Sequence, residues 1–571
     1  MAVVEKAKRN FVANDLSIDA WEDLKPIYDE LLNRELPTKG DLDQWLNDLS
    51  ELEAVLEENV AWRYIRMTID TTDEAAAKKY EDFVTQIQPH LAPYGDKLNK
   101  KLVAHPDVDQ LEGEAYRIYL RGIRKSIDLF REANIPIQTE LQQLAQKYSG
   151  IMGALEVEIN GEKITLQQAG AILQKTNRAE REAAYRAVDK VREEVIEEVE
   201  SIFNEMVSKR HEMAKNAGHD NYRDYMFEAM GRFDYTPQDC LNFHESIEKA
   251  IMPISKEIVQ KRKDAMGLEK LRPWDLQADI LGREPLRPFK DANELIEGSI
   301  AMFRETDPFF GDCLEHMRNE GHLDLASKKG KAPGGYNYPL YESGIPFIFM
   351  NAVGTTRDLV TMVHEGGHAV HSVLTHPLEK TSFKGCPSEV AELASMSMEL
   401  ISMDQWGTFF EDKDELIRAK REHLEDILSM LPWIAMIDLF QHWLYTHPEH
   451  TPEERKAKWL EIETRFGFDD LIDYSEFEKG RAFRWHRQLH LFEVPFYYIE
   501  YGMAQLGAIA VWRNYKQDPE KALAQFKDAL SLGYTRTIGD IYQTAGIRFD
   551  FSESYITELA TFVQEELAKL T

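Results

Sequence analysis

The chain has 571 residues, 43% hydrophobic and 29% charged, with a mean hydropathy of −0.47 and a formal net charge of −32. Such a composition can bury a core in a water-facing protein, and such a charge repels phosphate backbones and anionic lipid, which sets nucleic-acid and membrane-surface roles aside. Three widely spaced cysteines, Cys240, Cys313 and Cys386, make neither a disulfide framework nor a Cys-rich zinc site.

From Trp21 to Lys147 apolar and charged residues alternate at spacings of three and four, which predicts helices broken near Pro37–Gly40, Pro89–Gly95 and His105–Pro106. LEVEI and EKITL then meet across Asn160-Gly161, a dipeptide suited to a type I′ turn, so a short β-hairpin is expected. A charged amphipathic helix follows, roughly Arg178 to Asn216, with (i, i+4) pairs such as Arg178 with Glu182 and Glu182 with Arg186. Helices continue to about Lys263. After the proline-rich stretch LRPWDLQADILGREPLRPF they resume and reach Leu325. The segment KKGKAPGGYNYPLYESGIPFIFMNAVGTT is too rich in Gly, Pro and aromatic residues for helix and predicts two or three short strands. After Thr355 the pattern is helical to the end. The apolar stretches Leu428–Tyr445 and Val494–Trp512 are interrupted by Pro432 and Asp438 and by Glu500, and read as buried helices. The fold class is mostly α, with a small β-sheet beside the segment that follows. The N-terminal run lacks the apolar core of a signal peptide, so with so few cysteines the cytoplasm is the expected location.

That segment is TTRDLVTMVHEGGHAVHSVLTH. Thr355 can cap its helix, with Asp358 closing a capping box. His364 and His368 are four apart, so both imidazoles leave one helix face and can share a metal. Glu365 neighbours the first histidine and can reach a water beside the metal without being a ligand. Gly366 and Gly367 cost a helix interior roughly 1 kcal/mol each relative to Ala, which predicts a close approach that requires them. A catalytic zinc needs a third protein ligand and an open position. His371 sits a turn too far along the same helix to close the set. CPSEVAELASMSMELISM, with its Pro387-Ser388 helix start, offers Glu389, Glu392 and Glu399. Glu389 is explained by the helix dipole. Glu392 and Glu399 share one face among small and apolar residues. The reading is Glu392 as ligand and Glu399 as its supporting partner, although spacing alone leaves the two exchangeable.

HEGGHAVH followed by ELASMSME resembles the thimet oligopeptidase and oligoendopeptidase F family of zinc peptidases, nearest to the bacterial oligoendopeptidase F and Pz-peptidase branch. In that pattern Glu392 is the third ligand, which implies one zinc per chain held by His364, His368 and Glu392. Gly334-Gly335-Tyr336 looks like the family's element before the zinc helix, and HLFEVPFYYIEYGMAQLGA looks like its C-terminal His and Tyr cluster. NYRDYMF and LRPWDL also match. The mammalian members space that cluster one residue longer, and here it includes Pro495. The resemblance implies a mostly helical ellipsoid divided by a deep channel that admits only short peptides. Residues 1–195 would form an N-terminal helical region with the hairpin and part of the channel wall, and residues 196–571 the catalytic region.

The expected chemistry is zinc-dependent hydrolysis of internal bonds in oligopeptides. Glu365 acts as base and then acid, and Tyr501 is the first choice of donor to the anionic carbonyl oxygen, assisted by His490 or Tyr498. Gly334, Gly335 and Tyr336 would bind the peptide backbone as an added strand. His486 and His490, also four apart, have no carboxylate helix to complete a second metal pair. The rival readings are a dipeptide-releasing zinc carboxypeptidase, which needs a cationic clamp that the sequence does not reveal, and a non-catalytic peptide-binding protein, which has no need of Glu365.

Overall fold

Helix accounts for 69% of the described residues, as the dominant three-and-four periodicity predicts. The computed structural model describes Lys6 and residues 8–570. The chain forms two compact units, each discontinuous in sequence. One comprises the segment up to Phe130, Arg287–Ala419 and Met503–Phe549; the other comprises Arg131–Leu286, Lys420–Gly502 and the segment from Asp550 onward.

In the first unit, the helix Lys39–Ile69 starts at Thr38, whose hydroxyl accepts from the Asp41 amide while the Asp41 carboxylate takes the Thr38 amide. Leu42, Trp45, Leu49, Leu52 and Leu56 fall on its buried face and pack against Trp21, Leu24, Leu31, Leu98 and Leu102. Further along the same helix, Ala61 and Ile65 pack against Leu340, Phe347 and Phe349. An N-terminal helix therefore carries the sheet that flanks the histidine motif.

That sheet has three strands. Phe347–Ala352 is central, parallel to Leu323–Ala326 and antiparallel to Tyr336–Tyr338. Phe347, Ile348, Phe349 and Met350 are all buried, as suits a strand covered on both faces. Leu323–Ala326 lies where the sequence reading continued helix to Leu325. The helix Pro308–Glu320 ends earlier because Gly321 adopts the left-handed conformation (φ 75°) and donates its amide back to the Arg318 carbonyl. The chain then leaves extended and pairs with the central strand.

In the second unit the hairpin forms as expected, with Glu156–Ile159 antiparallel to Glu162–Thr165 and positive φ at both Asn160 (57°) and Gly161 (85°). The single long helix expected from Arg178 is two, Arg178–Glu194 and Ile196–Asn216, parted at Val195. Glu182 pairs with Arg186 at 2.8 Å, but Arg178 donates to Asp275 at 2.9 and 2.8 Å instead of to Glu182. Arg181 joins at 3.1 Å, so the fully buried Asp275 of LRPWDL anchors two arginines of one helix. The helix Lys413–Thr446 runs through Pro432. It is long and apolar enough to cross a membrane, yet 72% of its apolar window is buried within the protein.

Candidate metal centre

The motif helix spans Thr356–Thr375. Thr355 accepts from the Asp358 amide at 3.2 Å, and Asp358 accepts from the Thr355 and Val353 amides at 2.9 Å each. The two interior glycines are explained by what faces them. A Cβ on Gly366 would stand 2.7 Å from the Phe303 ring. One on Gly367 would stand 2.6 Å from the Ser395 Cα and 2.9 Å from the Ala394 carbonyl oxygen. The second helix, Ser388–Ile401, thus crosses the first backbone to backbone at Gly367, with Ala394 and Ser395 as its own small residues. A close crossing of this kind holds side chains from both helices in short, fixed reach of one another.

Glu392 is one turn before that crossing. Its Oε2 lies 3.3 Å from His364 Nε2 and 3.6 Å from His368 Nε2, and the two rings are perpendicular with centroids 4.9 Å apart. One ligand atom from each of the three residues falls within 4.8 Å of the others. Glu399, about one turn past the crossing, accepts from His364 Nδ1 at 2.7 Å. That bond keeps a proton on Nδ1 when Nε2 gives its lone pair to a metal, the tautomer a metal ligand requires. Ser395 donates to Glu392 Oε2 at 3.1 Å. The donor set is two imidazole nitrogens and one carboxylate oxygen aimed at one another, with a carboxylate behind one imidazole. It fits a zinc site of the catalytic type.

The electrostatics follow from burial and these partners. Burial disfavours a charged His364, but the hydrogen bonds to Glu392 and Glu399 outweigh it and raise its pKa well above the ordinary value. His368 is pushed down to about 4, chiefly by burial. Glu365 is 7% exposed and takes no part in the ligand cluster. Burial raises it to about 7, against the lowering effect of His364 and of a backbone hydrogen bond from Asn337 on the edge strand. His371 is buried beside Cys386, with Sγ 3.9 Å from both ring nitrogens. Glu389 is buried in the first turn, and the Tyr542 hydroxyl donates to its carbonyl.

Tyr336–Tyr338 is an edge strand of the three-stranded sheet. Gly334 has φ 102°, a conformation that favours glycine, and its carbonyl accepts from Asn351 Nδ2 at 3.0 Å. A Cβ on Gly335 would stand 3.4 Å from the Phe349 carbonyl oxygen. The Tyr336 ring stacks on Phe349 (4.8 Å, 4°), with its hydroxyl 2.6 Å from Thr68 Oγ1. The ring is therefore committed to the core.

In the second unit, His490, Tyr498 and Tyr501 form one half-buried ring cluster. Centroids stand 4.9 Å apart for His490–Tyr498, 5.7 Å for His490–Tyr501 and 5.6 Å for Tyr498–Tyr501. His490 Nδ1 is 2.7 Å from Gln488 Nε2, and Trp433 fixes that amide by donating to Gln488 Oε1 at 2.9 Å. Burial pushes the Tyr498 phenol up to about 12. The turn into this cluster depends on Phe496, whose φ of 71° is costly for a bulky residue. Gln441 accepts its amide at 2.6 Å, and Arg232, paired with Glu500, takes its carbonyl. Sequence reading missed these three supports, because they are ordinary polar residues far apart in the chain. His486 is held by Glu200 at 2.8 Å.

The sequence pattern of peptidase family M3 matches residues 171–561, and that of the M3 N-terminal domain matches residues 15–130. The chain belongs to peptidase family M3. As an M3 protein it is an enzyme of a metallo-oligopeptidase family. It is 22% identical to oligopeptidase PepF of Bacillus subtilis over 311 residues, 54% of this chain and 45% of that protein. It is 20% identical to the chromosomal oligoendopeptidase F of Lactococcus lactis subsp. cremoris over 436 residues, 72% of this chain and 67% of that one. The match to PepF thus spans less than half of that relative's length. Among solved structures, Pz peptidase A with an inhibitor superposes with a TM-score of 0.90 at 26% identity, covering 98% of this M3 chain and 99% of that one. Oligoendopeptidase F from Enterococcus faecium shares the fold with a TM-score of 0.62 at 18% identity, over 96% and 98% of the two chains.

Proposed function

We propose that this M3 peptidase is a zinc-dependent endopeptidase that hydrolyses internal bonds of short oligopeptides. The observation that carries the reading is the convergence of His364, His368 and Glu392 on one point, with Glu399 behind His364 and Glu365 alongside but outside the set. His364, His368 and Glu392 would hold the zinc, which when bound acts as a Lewis acid and makes water a nucleophile near neutral pH.

Glu365 accepts the proton of the attacking water and returns it to the leaving amine, a double duty that suits a carboxyl raised to about 7. The edge strand Tyr336–Tyr338 receives the substrate backbone as an added strand, and the Asn337 amide ties that strand to Glu365. The Tyr501 phenol donates to the carbonyl oxygen as it becomes anionic, with Tyr498 and His490 in support; this assignment rests on the family resemblance.

The test is hydrolysis of an internally quenched peptide with its C-terminal carboxylate amidated, before and after chelation, followed by a product map. Cleavage at internal bonds, abolished by chelator and restored by zinc, is expected. Turnover only of peptides with a free carboxylate would make the enzyme a dipeptide-releasing carboxypeptidase instead.

A further inference from the structure

The helix Pro237–Ala250 carries Cys240 and His244, four apart, and the helix Lys413–Thr446 carries Asp438 and His442, also four apart. Each pair leaves one face of its helix. In the second unit the two faces meet. His244 Nε2 lies 2.8 Å from Asp438 Oδ2, and His442 Nε2 lies 3.2 Å from the same oxygen. Ligand atoms of Cys240, Asp438 and His442 fall within 4.8 Å of one another. All four residues are buried, at 0% exposure for Cys240 and Asp438, 1% for His244 and 4% for His442. Around them stand Phe227, Phe243 and Phe496.

Two observations separate this cluster from an ordinary buried hydrogen-bond network. First, it is under-satisfied: Asp438 Oδ1, His244 Nδ1 and His442 Nδ1 lack hydrogen-bond partners, while His442 Nε2 stands 3.2 Å from Asp438 Oδ2. Buried polar atoms rarely go unpaired without an ion or water to serve them. Second, a fully buried carboxylate needs a counter-charge, and what faces Asp438 is two imidazoles, while Arg465 and Arg232 are engaged by Glu248 and Glu500.

We propose that Cys240, His244, Asp438 and His442 form a closed structural zinc site, built from none of the residues of the His364–His368–Glu392 centre. Sulfur, two imidazoles and a carboxylate are a zinc donor set, and ligand atoms bonded at about 2.0–2.3 Å stand roughly 3.3–3.8 Å apart. One thiolate and one carboxylate neutralise the divalent ion, which makes its burial tolerable. Four protein ligands and no solvent exposure leave no open position for catalysis, so the ion clamps two helices.

The test removes the other site first. The full-length His364→Ala/His368→Ala variant, purified and dialysed against a mild chelator, is expected to retain about one zinc per chain. Adding Cys240→Ala, which deletes the thiolate without adding a polar atom, abolishes that zinc. Cobalt substitution gives an independent readout, since only a sulfur-bound ion shows thiolate-to-cobalt charge transfer in the near ultraviolet. The band is expected in the double variant and lost with Cys240→Ala. A double variant that is folded by circular dichroism but holds no zinc and shows no band overturns the proposal, and so does a band that survives Cys240→Ala. Either result is independent of whether the His364–His368–Glu392 centre is catalytic.

Discussion

Gly367 faces Ser395 with no room for a side chain: a Cβ there would stand 2.6 Å from the Ser395 Cα. The obstacle is backbone, so it cannot rotate away. Gly367→Ala would gain about 1 kcal/mol of helix propensity in an open helix. Here the expected outcome is a net loss of about 1–3 kcal/mol from overpacking, together with weakened zinc binding as the crossing that positions Glu392 spreads. Thermal midpoint and zinc content after dialysis check both. A more stable variant with full zinc would show that the crossing does not set the ligand geometry.

Glu365 adjoins a proposed ligand but lies outside the ligand cluster. Glu365→Gln is expected to hold zinc like the parent while kcat falls by about 10²–10⁴-fold, the usual reach of general acid–base catalysis. Zinc analysis and steady-state kinetics on a quenched peptide decide it, and substantial residual turnover would remove Glu365 from the mechanism.

Glu392 and Glu399 face different nitrogens of His364. Glu392→Gln removes a ligand charge and is expected to abolish tight zinc binding. Glu399→Gln still offers an acceptor to Nδ1 and is expected to weaken zinc by about 10–100-fold. Glu389→Gln leaves it unchanged. Competition against a chromophoric chelator ranks the three, and an order with Glu399 first would exchange the two roles.

Tyr501→Phe deletes one hydroxyl and almost no volume. If that hydroxyl donates mainly in the transition state, kcat falls about 10²–10³-fold while KM, zinc content and thermal midpoint stay near the parent. Tyr498→Phe and His490→Ala, measured in parallel, show whether the cluster acts through one donor or several. Normal turnover in all three variants would make the cluster structural.

Asp275 is fully buried and receives Arg178, Arg181 and the Arg272 amide. Burial alone would raise its pKa, but these hydrogen bonds outweigh it and hold it below the ordinary carboxylate value. Its contribution to stability is therefore present above pH about 4 and is lost as pH falls through the lower folded value. Asp275→Asn is expected to cost about 3–5 kcal/mol at neutral pH by leaving Arg181 buried without a counter-charge. Urea midpoints from pH 7 downward check this: the gap between parent and variant should close on acidification, and a pH-independent gap would argue for packing alone.

What the sequence determined by itself is what short-range geometry determines. A separation of four puts His364 and His368 on one helix face whatever surrounds them, Thr355 and Asp358 cap that helix from within four residues, and Asn160-Gly161 closes its hairpin because both residues tolerate positive φ. The two interior glycines announced a close contact, although not with what. Tertiary structure decided the rest, because those choices depend on which backbones touch. Glu392 and Glu399 are seven apart on one helix and look alike in sequence. The crossing at Gly367 and Ser395 brings one to the Nε2 side of His364 and the other to Nδ1. Arg178 has a helical neighbour in Glu182 but turns to Asp275, because a buried carboxylate binds a guanidinium more strongly than a solvated one. Cys240 and His244 pass in sequence for ordinary helix residues, as do Asp438 and His442. Only the packing of two helices distant in the chain makes them one cluster, since a helix fixes the face a side chain leaves from and never the partner that face will meet.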